Sequence, residues 1–404
     1  MAAHVRRCVV TTVVAACAAC SPSGPAVPER ATLELGDVLG GADTLHARAW
    51  APRPFEFPAD HGPHPEFRTE WWYFTGNVTS ADGRAFGYQL TFFRSALADS
   101  ASFAGRSGDE SSEWRARHAY MAHFAVSDLG GERIHAAERF ARDALGLAGA
   151  RAEPFRVWLE DWHATGAGPA APGNDIFPLR LRAHAGDVAI DLLLEQGRPI
   201  ALQGEAGLSR KGPEPGNASY YYSITRMPTT GTIRVGRDVM DVRGRSWLDR
   251  EWSTSVLGDG LVGWDWMALQ LGDSSDLMLY RLRRHDGLAD PHSAGLHVAD
   301  DGTTTPLHAA DFSMTATRTW RSPASGAVYP VAWRVQVPQH GLDIDVTAAF
   351  ADQELDLAVL YWEGAVRVAG HRHGERVDGR GYLEMTGYRA DTPQRRPRPA
   401  WPLR

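Results

Sequence analysis

Residues 67–94 read FRTEWWYFTGNVTSADGRAFGYQLTFFR, with Ala81-Asp82-Gly83 between two runs rich in aromatic and β-branched side chains. Runs of this composition on either side of an Asp-Gly dipeptide are typical of an antiparallel hairpin. We therefore predict that 70–79 and 84–94 form two paired strands.

The aromatic string of this hairpin is divided between two faces, because side chains alternate along an extended chain. Glu70 lies beside a wall of rings, where a carboxylate is either paired with an arginine or has a raised pKa and donates a proton. A buried Glu-Arg clamp and a catalytic acid are therefore both open for Glu70. The expected faces are Glu70, Trp72 and Phe74 on one side, and Trp71, Tyr73 and Thr75 on the other.

The hairpin pattern recurs along the chain and predicts an all-β fold. The runs are too many for one small barrel, which favours two antiparallel barrels or highly curved sheets packed side by side. We place the boundary near 236–244, with an N-terminal barrel at 46–240, a C-terminal barrel at 241–395 and a tail at 396–404. Further paired runs are 118–127 with 132–140, 177–184 with 188–195, 263–271 with 276–283, and 362–368 with 381–387.

Composition excludes several classes of protein. The 404 residues include 43% hydrophobic, 23% charged and 10% aromatic residues, which is not a disordered composition. The net charge of −7 and the lack of a basic run give no electrostatic reason to bind nucleic acid. No obligate protein partner is evident.

The first twenty residues predict export and a lipid anchor. Arg6 and Arg7 precede an apolar segment, 8–19, that is too short to cross a bilayer but fits a secretory signal. The sequence Val14-Ala15-Ala16-Cys17 looks like a bacterial lipoprotein cleavage box. We expect a signal peptide at 1–16, an acylated Cys17 and a flexible tether at 17–45, with the mature protein periplasmic and held to a membrane by lipid.

Two alternatives to acylation at Cys17 stay open. Cys20 lies in a weaker second box, and ordinary signal peptidase cleavage would leave both cysteines idle. With Cys8 these are the only three cysteines, so thiolate chemistry is excluded from the body of the chain.

A second dense segment spans 246–255. In extended geometry its acids Asp249 and Glu251 share one face with Trp247, while Arg250 and Trp252 lie on the other. Two acids on one face are a common basis of general acid and base chemistry, but an acid-arginine network tying the domains together is equally open.

Other aromatic residues accompany these acids. Asp265, between Trp264 and Trp266, alternates to the face of the leucines that follow it and should find a partner such as Arg250 or be partly protonated. Tyr221 and Tyr222 belong to a run of three phenols, which either orient a ligand in a pocket or pack as ordinary core residues.

The markers of several enzyme classes are missing. No Gly-x-Ser-x-Gly, His-Glu-x-x-His, phosphate loop or dinucleotide fingerprint occurs. His61 and His64 could bind a metal with Glu70, but two histidines in a loop before a strand are a weak zinc pattern. We therefore expect no metal and no cofactor.

Five motifs together resemble the AttH-like, carotenoid 1,2-hydratase family of lipocalin-like proteins, over about 50–390. This resemblance implies two lipocalin-like β-barrel domains with a ligand cleft at or between them. It also implies, for hydratase members, addition of water to the terminal double bond of acyclic carotenoids. The motifs are FRTEWWYFTG at 67–76, MAHFA at 121–125, GLSRKG at 207–212, WLDREWS at 247–253 and GWDW at 263–266.

For hydratase members of that family, the resemblance implies that a His-x-Trp pair and a Tyr-x-Asp pair protonate the alkene and place the water molecule. The matching positions here are Arg250-Glu251-Trp252 and Tyr280-Arg281-Leu282, without the His and the second Asp. The proton would then come from Asp249, Glu251 or Asp265, with Glu70 as a further candidate. Candidate ligand contacts are Trp71, Trp72, Tyr73, Tyr221, Tyr222, Arg250, Trp252, Trp264, Trp266 and Tyr280.

Three functions are consistent with the sequence. The first is binding of an apolar or isoprenoid-like molecule in an aromatic cleft between the barrels. The second is a hydro-lyase that hydrates an alkene by general-acid catalysis, for which the acid must be kept neutral in a dry pocket. The third, a secreted hydrolase, requires a nucleophile that the sequence does not reveal.

Overall fold

The computed structural model describes residues 45–97, 116–168, 176–255, 257–258 and 260–388. Cys8, Cys17 and Cys20, the predicted signal peptide and the predicted tail at 396–404 lie outside these residues. The described chain is built from β-strands and two short 3-10 helices, Ala59–His61 and Pro338–His340. Within it, none of the helices has the length and apolar character needed to cross a membrane.

Thirteen strands form the first sheet, in the order β4-β3-β2-β1-β13-β12-β9-β8-β7-β6-β5, with β10 and β11 also paired to β12. All pairings are antiparallel. The strands are β1 (Thr69–Ser80), β2 (Ala85–Ala96), β3 (His118–Asp128), β4 (Arg133–Arg142), β5 (Ala148–Arg151), β6 (Arg156–Leu159), β7 (Trp162–Gly166), β8 (Leu179–Ala185), β9 (Val188–Leu194), β10 (Ala201–Leu202), β11 (Leu208–Arg210), β12 (Ala218–Val235) and β13 (Asp238–Ser253).

Ten strands form the second sheet, in the order β17-β16-β15-β14-β23-β22-β20-β19-β18, with β21 also paired to β22. The strands are β14 (Leu261–Leu271), β15 (Asp276–Arg284), β16 (Ala294–Val298), β17 (Thr304–His308), β18 (Ser313–Arg321), β19 (Val328–Val337), β20 (Leu342–Ala348), β21 (Glu354–Asp356), β22 (Leu360–Arg372) and β23 (Glu375–Thr386).

Each sheet curls around a hydrophobic core of its own. Trp72, Phe74 and Trp252 belong to the first core, and Met267 and Leu383 to the second. Alternate side chains of the same strands point outward, and the outward faces of the two sheets pack against each other in a third apolar cluster that includes Tyr73, Tyr221, Trp266, Tyr280 and Tyr382. The protein thus has two barrel-like interiors and one interface between them.

A glycine allows the two outer faces to approach closely. A Cβ added at Gly87 in β2 would lie 2.8 Å from Ala365 Cβ and 3.2 Å from the ring of Tyr382, both in the second sheet. Contacts under 3.0 Å force the neighbours to move, so only glycine permits this packing.

The predicted all-β fold with two barrel-like antiparallel sheets is confirmed. The first predicted hairpin corresponds to β1 and β2, which pair from Thr69↔Ser95 to Thr79↔Ala85. The division between the sheets, however, falls between Ser253 and Leu261 and not near residue 240. Gly236, with φ of 64°, lies in the turn of the long β12–β13 hairpin. The turn residues near 236–244 mark this hairpin and not the end of a domain, which is why the predicted boundary is wrong.

Candidate functional site

A cavity lies between the outer faces of the two sheets, outside both hydrophobic cores. It contains about 740 Å³ of space free of protein atoms, counted together with its opening to solvent. The described residues of its lining combine aromatic rings, four carboxyl groups and one ammonium group. The lining residues are Trp71, Tyr73, Gln89, Thr91, Phe93, Lys211, Tyr221, Asp249, Glu251, Leu257, Trp264, Trp266, Tyr280, Leu282, Tyr361, Glu363 and Glu384.

Two cross-strand rows of the first sheet form one wall. Tyr73 of β1 lies directly opposite Asp249 of β13, and Trp71 lies opposite Glu251. Glu251 is in turn opposite Tyr221 of β12. Because residues two apart along a strand share a face, both rows project from the same side of the sheet.

One longer row of the second sheet forms the other wall. Glu363 of β22 faces Glu384 of β23, Glu384 faces Trp266 of β14, and Trp266 faces Tyr280 of β15. The Tyr73 ring packs edge-on against Trp266, with ring centroids 5.1 Å apart, and joins the two walls.

Asp249 is a buried acid held by neutral donors. The hydroxyl of Tyr221 donates to Oδ2 at 2.5 Å, while Ser223 Oγ and Trp247 Nε1 donate to Oδ1 at 2.5 and 2.7 Å. Trp266 Nε1 donates to the Tyr221 hydroxyl at 3.2 Å. Burial raises the pKa of Asp249 to about 7, against the effect of these donors, so the carboxyl group is partly protonated near neutral pH.

Glu363 and Glu384 form a second acidic group. The Tyr73 hydroxyl donates to Glu363 Oε1 at 2.5 Å, and Trp264 Nε1 donates to Glu384 Oε1 at 2.8 Å. Burial and the nearby charge of Glu384 raise the pKa of Glu363 well above its usual range. Burial likewise raises the pKa of Glu384 to about 7. Two neighbouring carboxyls of this kind release their protons as a coupled pair, so the first proton to leave makes loss of the second harder.

The fourth carboxyl group differs because it has a cationic partner. Lys211 Nζ lies 3.2 Å from Glu251 Oε1, which also accepts a hydrogen bond from Ser219. Burial acts to lower the pKa of Lys211, but Glu251 and Tyr280 together raise it, so Lys211 is an ammonium ion. Its Nζ lies 4.1 Å from the centre of the Tyr280 ring.

Tyr361, two residues before Glu363 on β22, makes polar contacts with residues of the first sheet. The hydroxyl of Tyr361 lies 2.7 Å from His123 Nδ1 and 3.4 Å from Gln89 Nε2. Burial lowers the pKa of His123 to about 3, so this imidazole is neutral. Tyr361 is therefore oriented by residues of β2 and β3 while it lines the cavity.

Alternation along the strands decides which predicted site residues reach the cavity. The expected faces of both dense segments are observed, and one face of each lines the cavity. The residues brought together are Asp249, Glu251, Trp71, Tyr73, Tyr221, Trp264, Trp266 and Tyr280. The residues on the opposite faces, which do not line it, are Glu70, Asp265, Trp72, Tyr222, Arg250 and Trp252.

The assignment of Glu70 as a catalytic acid is corrected by its position inside the first sheet. Its Oε1 pairs with Arg94 and its Oε2 lies 2.5 Å from Arg250 Nη2. Burial alone would raise the pKa of Glu70, but the two guanidinium groups hold it well below its usual range. Glu70 is thus the ion-paired clamp, the other of the two sequence interpretations.

Asp265 likewise points into the second core. Its Oδ2 lies 2.7 Å from Arg281 Nη2, and the Tyr388 hydroxyl donates to Oδ1 at 2.7 Å. The partner expected from the sequence, Arg250, belongs to the other sheet. Asp265 is therefore a fixed carboxylate behind the cavity wall and not a proton donor within it.

The remaining residues that miss the cavity are core residues of the first sheet. Trp252 stacks on His64 with centroids 3.8 Å apart, and Trp72 Nε1 donates to the carbonyl of His61. The Tyr222 hydroxyl lies 2.6 Å from His61 Nδ1. His61 and His64 are thus engaged with the core, and no group of three or more His, Cys, Asp or Glu suited to a metal occurs in the described residues.

Sequence reasoning missed Lys211, Tyr361, Glu363 and Glu384. A usable signal existed for the two glutamates, because each is the one charged residue of a short aromatic or apolar run within its strand: Tyr361-Trp362-Glu363-Gly364 and Tyr382-Leu383-Glu384-Met385. Lys211 lies in the GLSRKG motif, but its contact with Glu251 depends on the pairing of β11 with β12, which the motif does not predict.

Comparison with known proteins agrees with this architecture. A crystal structure of an AttH-type protein from Nitrosomonas europaea is 34% identical, with a TM-score of 0.71, and the match covers 84% of this chain and 99% of that one. Kievitone hydratase from Nectria haematococca has the same fold at 14% identity, with a TM-score of 0.63 over 85% of this chain and 95% of its own.

Among curated proteins, the dehydratase asqC of Emericella nidulans is 23% identical over 220 residues. That match covers 51% of this chain and 60% of the relative, so the chain corresponds to about three fifths of the relative's length. The sequence model of the AttH-like family matches residues 48–388. The chain therefore belongs to the AttH-like family.

Proposed function

We propose that this protein is a hydro-lyase-type enzyme, which adds water to or removes water from an apolar small molecule bound between the two sheets. The observation that carries the proposal is the position of Asp249, Glu363 and Glu384. They line one aromatic cavity and are held there by tyrosine, serine and tryptophan donors. Buried acids whose pKa is raised above its usual range are suited to proton transfer at neutral pH.

Asp249 is the proposed proton donor, acting through Tyr221. When Asp249 is protonated on Oδ2, it donates to the Tyr221 oxygen, and the phenolic hydrogen is then free to turn toward the cavity. Proton transfer to an alkene carbon forms the new C–H bond from the π electrons and leaves a cation on the neighbouring carbon. The rings of Trp264 and Trp266, which line the cavity, could stabilise such a cation.

The Glu363–Glu384 pair completes the reaction as the base. A water molecule attacks the cation to form the C–O bond, and the ionised member of the pair accepts the proton that this water loses. Tyr221 is meanwhile reprotonated from Asp249, which recovers its own proton from solvent. Dehydration is the same sequence in reverse, with the pair donating to the departing hydroxyl group.

Names of relatives support this class of reaction. One curated relative is a dehydratase and one protein of the same fold is a hydratase, and these activities are opposite directions of one chemistry. The identity to both is low, so the support concerns the type of reaction and not the substrate.

The test is incorporation of ¹⁸O from labelled water. Purified protein is incubated with a panel of acyclic isoprenoid alkenes and the matching tertiary alcohols, and products are analysed by mass spectrometry. We expect turnover of at least one pair, with Asp249→Asn slower by about 10²–10⁴-fold, the usual contribution of a general acid. Asp265→Asn is the matched control, since that carboxylate lies behind the wall and its loss should leave turnover by folded protein near wild type.

Full activity of Asp249→Asn would overturn the assigned role of Asp249.

A second candidate function is ligand binding without chemistry, which the largely aromatic lining favours. It predicts an apolar compound in the organic extract of native protein, and no ¹⁸O exchange for that compound. Exchange into the co-purifying compound would reject the binding-only function.

A further inference from the structure

Among the described residues that line the cavity, Lys211 is the single cationic one. Forty-two residues of the chain are Lys or Arg, and Lys211 is the only lysine among them. The side chain is 10% exposed, and its ammonium group lies against the Tyr280 and Tyr221 rings at 4.1 and 5.4 Å from their centroids. Burying an ammonium group of this kind costs desolvation free energy, which must be offset by hydrogen bonds or ion pairs made by that group.

Glu251, the ionic partner that Lys211 has among the described residues, uses only part of the hydrogen-bonding capacity of the ammonium group. An ammonium group has three N–H donors, and ring faces accept them weakly. Within the described residues, the carboxylate of Glu251 at 3.2 Å is the only oxygen paired with Nζ. Donor capacity therefore remains on a group that faces the ligand space.

Lys211 and the Glu363–Glu384 pair lie at opposite ends of the cavity. Lys211 lies over Tyr280 of β15, while Glu363 is on β22 at the far end of the row that continues through Glu384 and Trp266. Strands in a sheet are about 4.8 Å apart, so three strand spacings place the two ends about 14 Å apart. This row of the second sheet thus has the glutamate pair at one end, Lys211 over the other end, and the Trp266 ring between them.

We infer that Lys211 binds an oxygen atom of the ligand, of the carbonyl or phenolate class, at the end of the cavity opposite the glutamate pair. The inference deepens the proposed function by defining its substrate class: an elongated apolar molecule with an oxygen acceptor at one end, and not a pure hydrocarbon. Glu251 keeps Lys211 protonated, and the ammonium group stabilises negative charge that develops on the ligand oxygen.

A matched pair of probes tests this assignment. 2-Acetylnaphthalene and 2-isopropenylnaphthalene have nearly the same shape, but the first presents a carbonyl oxygen where the second has a methylene group. Equilibrium dialysis gives the Kd of each for the full-length protein. We expect the ketone to bind about tenfold to a hundredfold more tightly, the range expected for a hydrogen bond from a charged donor.

The variants separate ligand recognition from a structural role of the ion pair. Lys211→Met alone would leave the Glu251 carboxylate buried without its cation, so the double variant Lys211→Met/Glu251→Gln is used as well. Both should lose the preference for the ketone and keep the Kd of the hydrocarbon within about twofold. Equal binding of the two probes by wild type, or a ketone preference that survives in the folded double variant, would overturn the inference.

The single lysine also provides a direct reporter. Reductive methylation with ¹³C-formaldehyde labels one side chain, and its dimethylamine signal should shift on addition of the ketone and not of the hydrocarbon. Hydrocarbon binding without any effect of the carbonyl group rejects the role of Lys211 but leaves the cavity of the proposed function intact. Failure of both probes to bind counts against the inference and the proposed function together.

Discussion

Glu363 and Glu384 lie directly opposite each other on β22 and β23, on the face of the second sheet that the first sheet covers. Like-charged residues at such a position destabilise a sheet when both are ionised. The two sites are therefore most stable with at least one proton between them, and this arrangement has measurable consequences.

Stability should fall as the pH rises past the ordinary pKa of a glutamate. Burial raises the pKa of Glu384 from 4.5 to about 7, so the folded protein holds more protons than the unfolded chain between these values. The free energy of unfolding then decreases with pH across this interval and levels off above it. Relative to wild type, Glu384→Gln should gain stability progressively from pH 5 to pH 8, by at most about 3 kcal/mol.

Urea denaturation at several pH values measures this difference, because comparison with wild type cancels the other titrating groups. Glu354→Gln is a suitable control, since that residue is bound by Ser322 and Ser325 away from the cavity. A difference between Glu384→Gln and wild type that does not change with pH would contradict the shared-proton arrangement.

Turnover should decline on the alkaline side of neutrality. The proposed donor must be protonated to act, and burial raises the pKa of Asp249 to about 7. The ionised member of the Glu363–Glu384 pair must also be available as the base, and burial raises the pKa of both its carboxyls. The rate constant kcat for hydration should therefore be highest near pH 7, falling below it as the pair becomes fully protonated and decreasing about tenfold per pH unit well above it as Asp249 ionises. The pH profile of kcat is measured for wild type and for Asp249→Asn. The residual rate of the variant should not decrease on the alkaline side. A decrease at the same pH in the variant would show that another group causes it.

The Glu70 clamp should contribute stability and no ligand affinity. Glu70→Gln leaves the guanidinium groups of Arg94 and Arg250 buried without their carboxylate, which is expected to cost about 3–5 kcal/mol of unfolding free energy. Glu66→Gln, a change at an exposed neighbour, should stay within about 0.5 kcal/mol of wild type. The two variants are compared by urea denaturation.

The same variants also test where Glu70 lies. Its side chain points into the first core, so folded Glu70→Gln should bind the naphthyl probes with wild-type Kd. A large change in Kd at conditions where the variant is fully folded would show that the clamp and the cavity are coupled.

We also propose that the protein is exported and anchored to a membrane through Cys17. Expression of the full chain in a bacterial host with radiolabelled palmitate should label wild type and not Cys17→Ser, and the variant should partition into the aqueous phase of a detergent separation. Cys20→Ser is the matched control and should behave as wild type. Labelling that is lost in Cys20→Ser and kept in Cys17→Ser would move the anchor to the second box.

The segments that pair locally could be predicted from the sequence. In the hairpin around Asp82-Gly83, the turn residues and the two strand-forming runs are adjacent in sequence. The hairpin can therefore be predicted without any contact between distant parts of the chain. The boundary near residue 240 could not be predicted in this way, because Gly236 has the same local signal whether it ends a domain or bends a hairpin.

The site shows the same limit. Period-two alternation alone separated Trp71 and Tyr73 from Glu70 and Trp72, and Asp249 from Arg250. It did not indicate which of the two faces would be covered by the other sheet, since both are aromatic and both contain acids. The arginine partners of Glu70 made it a clamp, and those partners come from strands distant in sequence.

The amino-acid sequence by itself determined the main local hairpins and the division of their strands into two faces, because these depend on neighbouring residues and on backbone geometry. Only the tertiary structure decided that one face of each sheet encloses the core of that sheet, while the opposite face packs against the other sheet. That choice depends on packing between strands far apart along the chain, and it brings Lys211, Asp249, Glu363 and Glu384 to a single cavity.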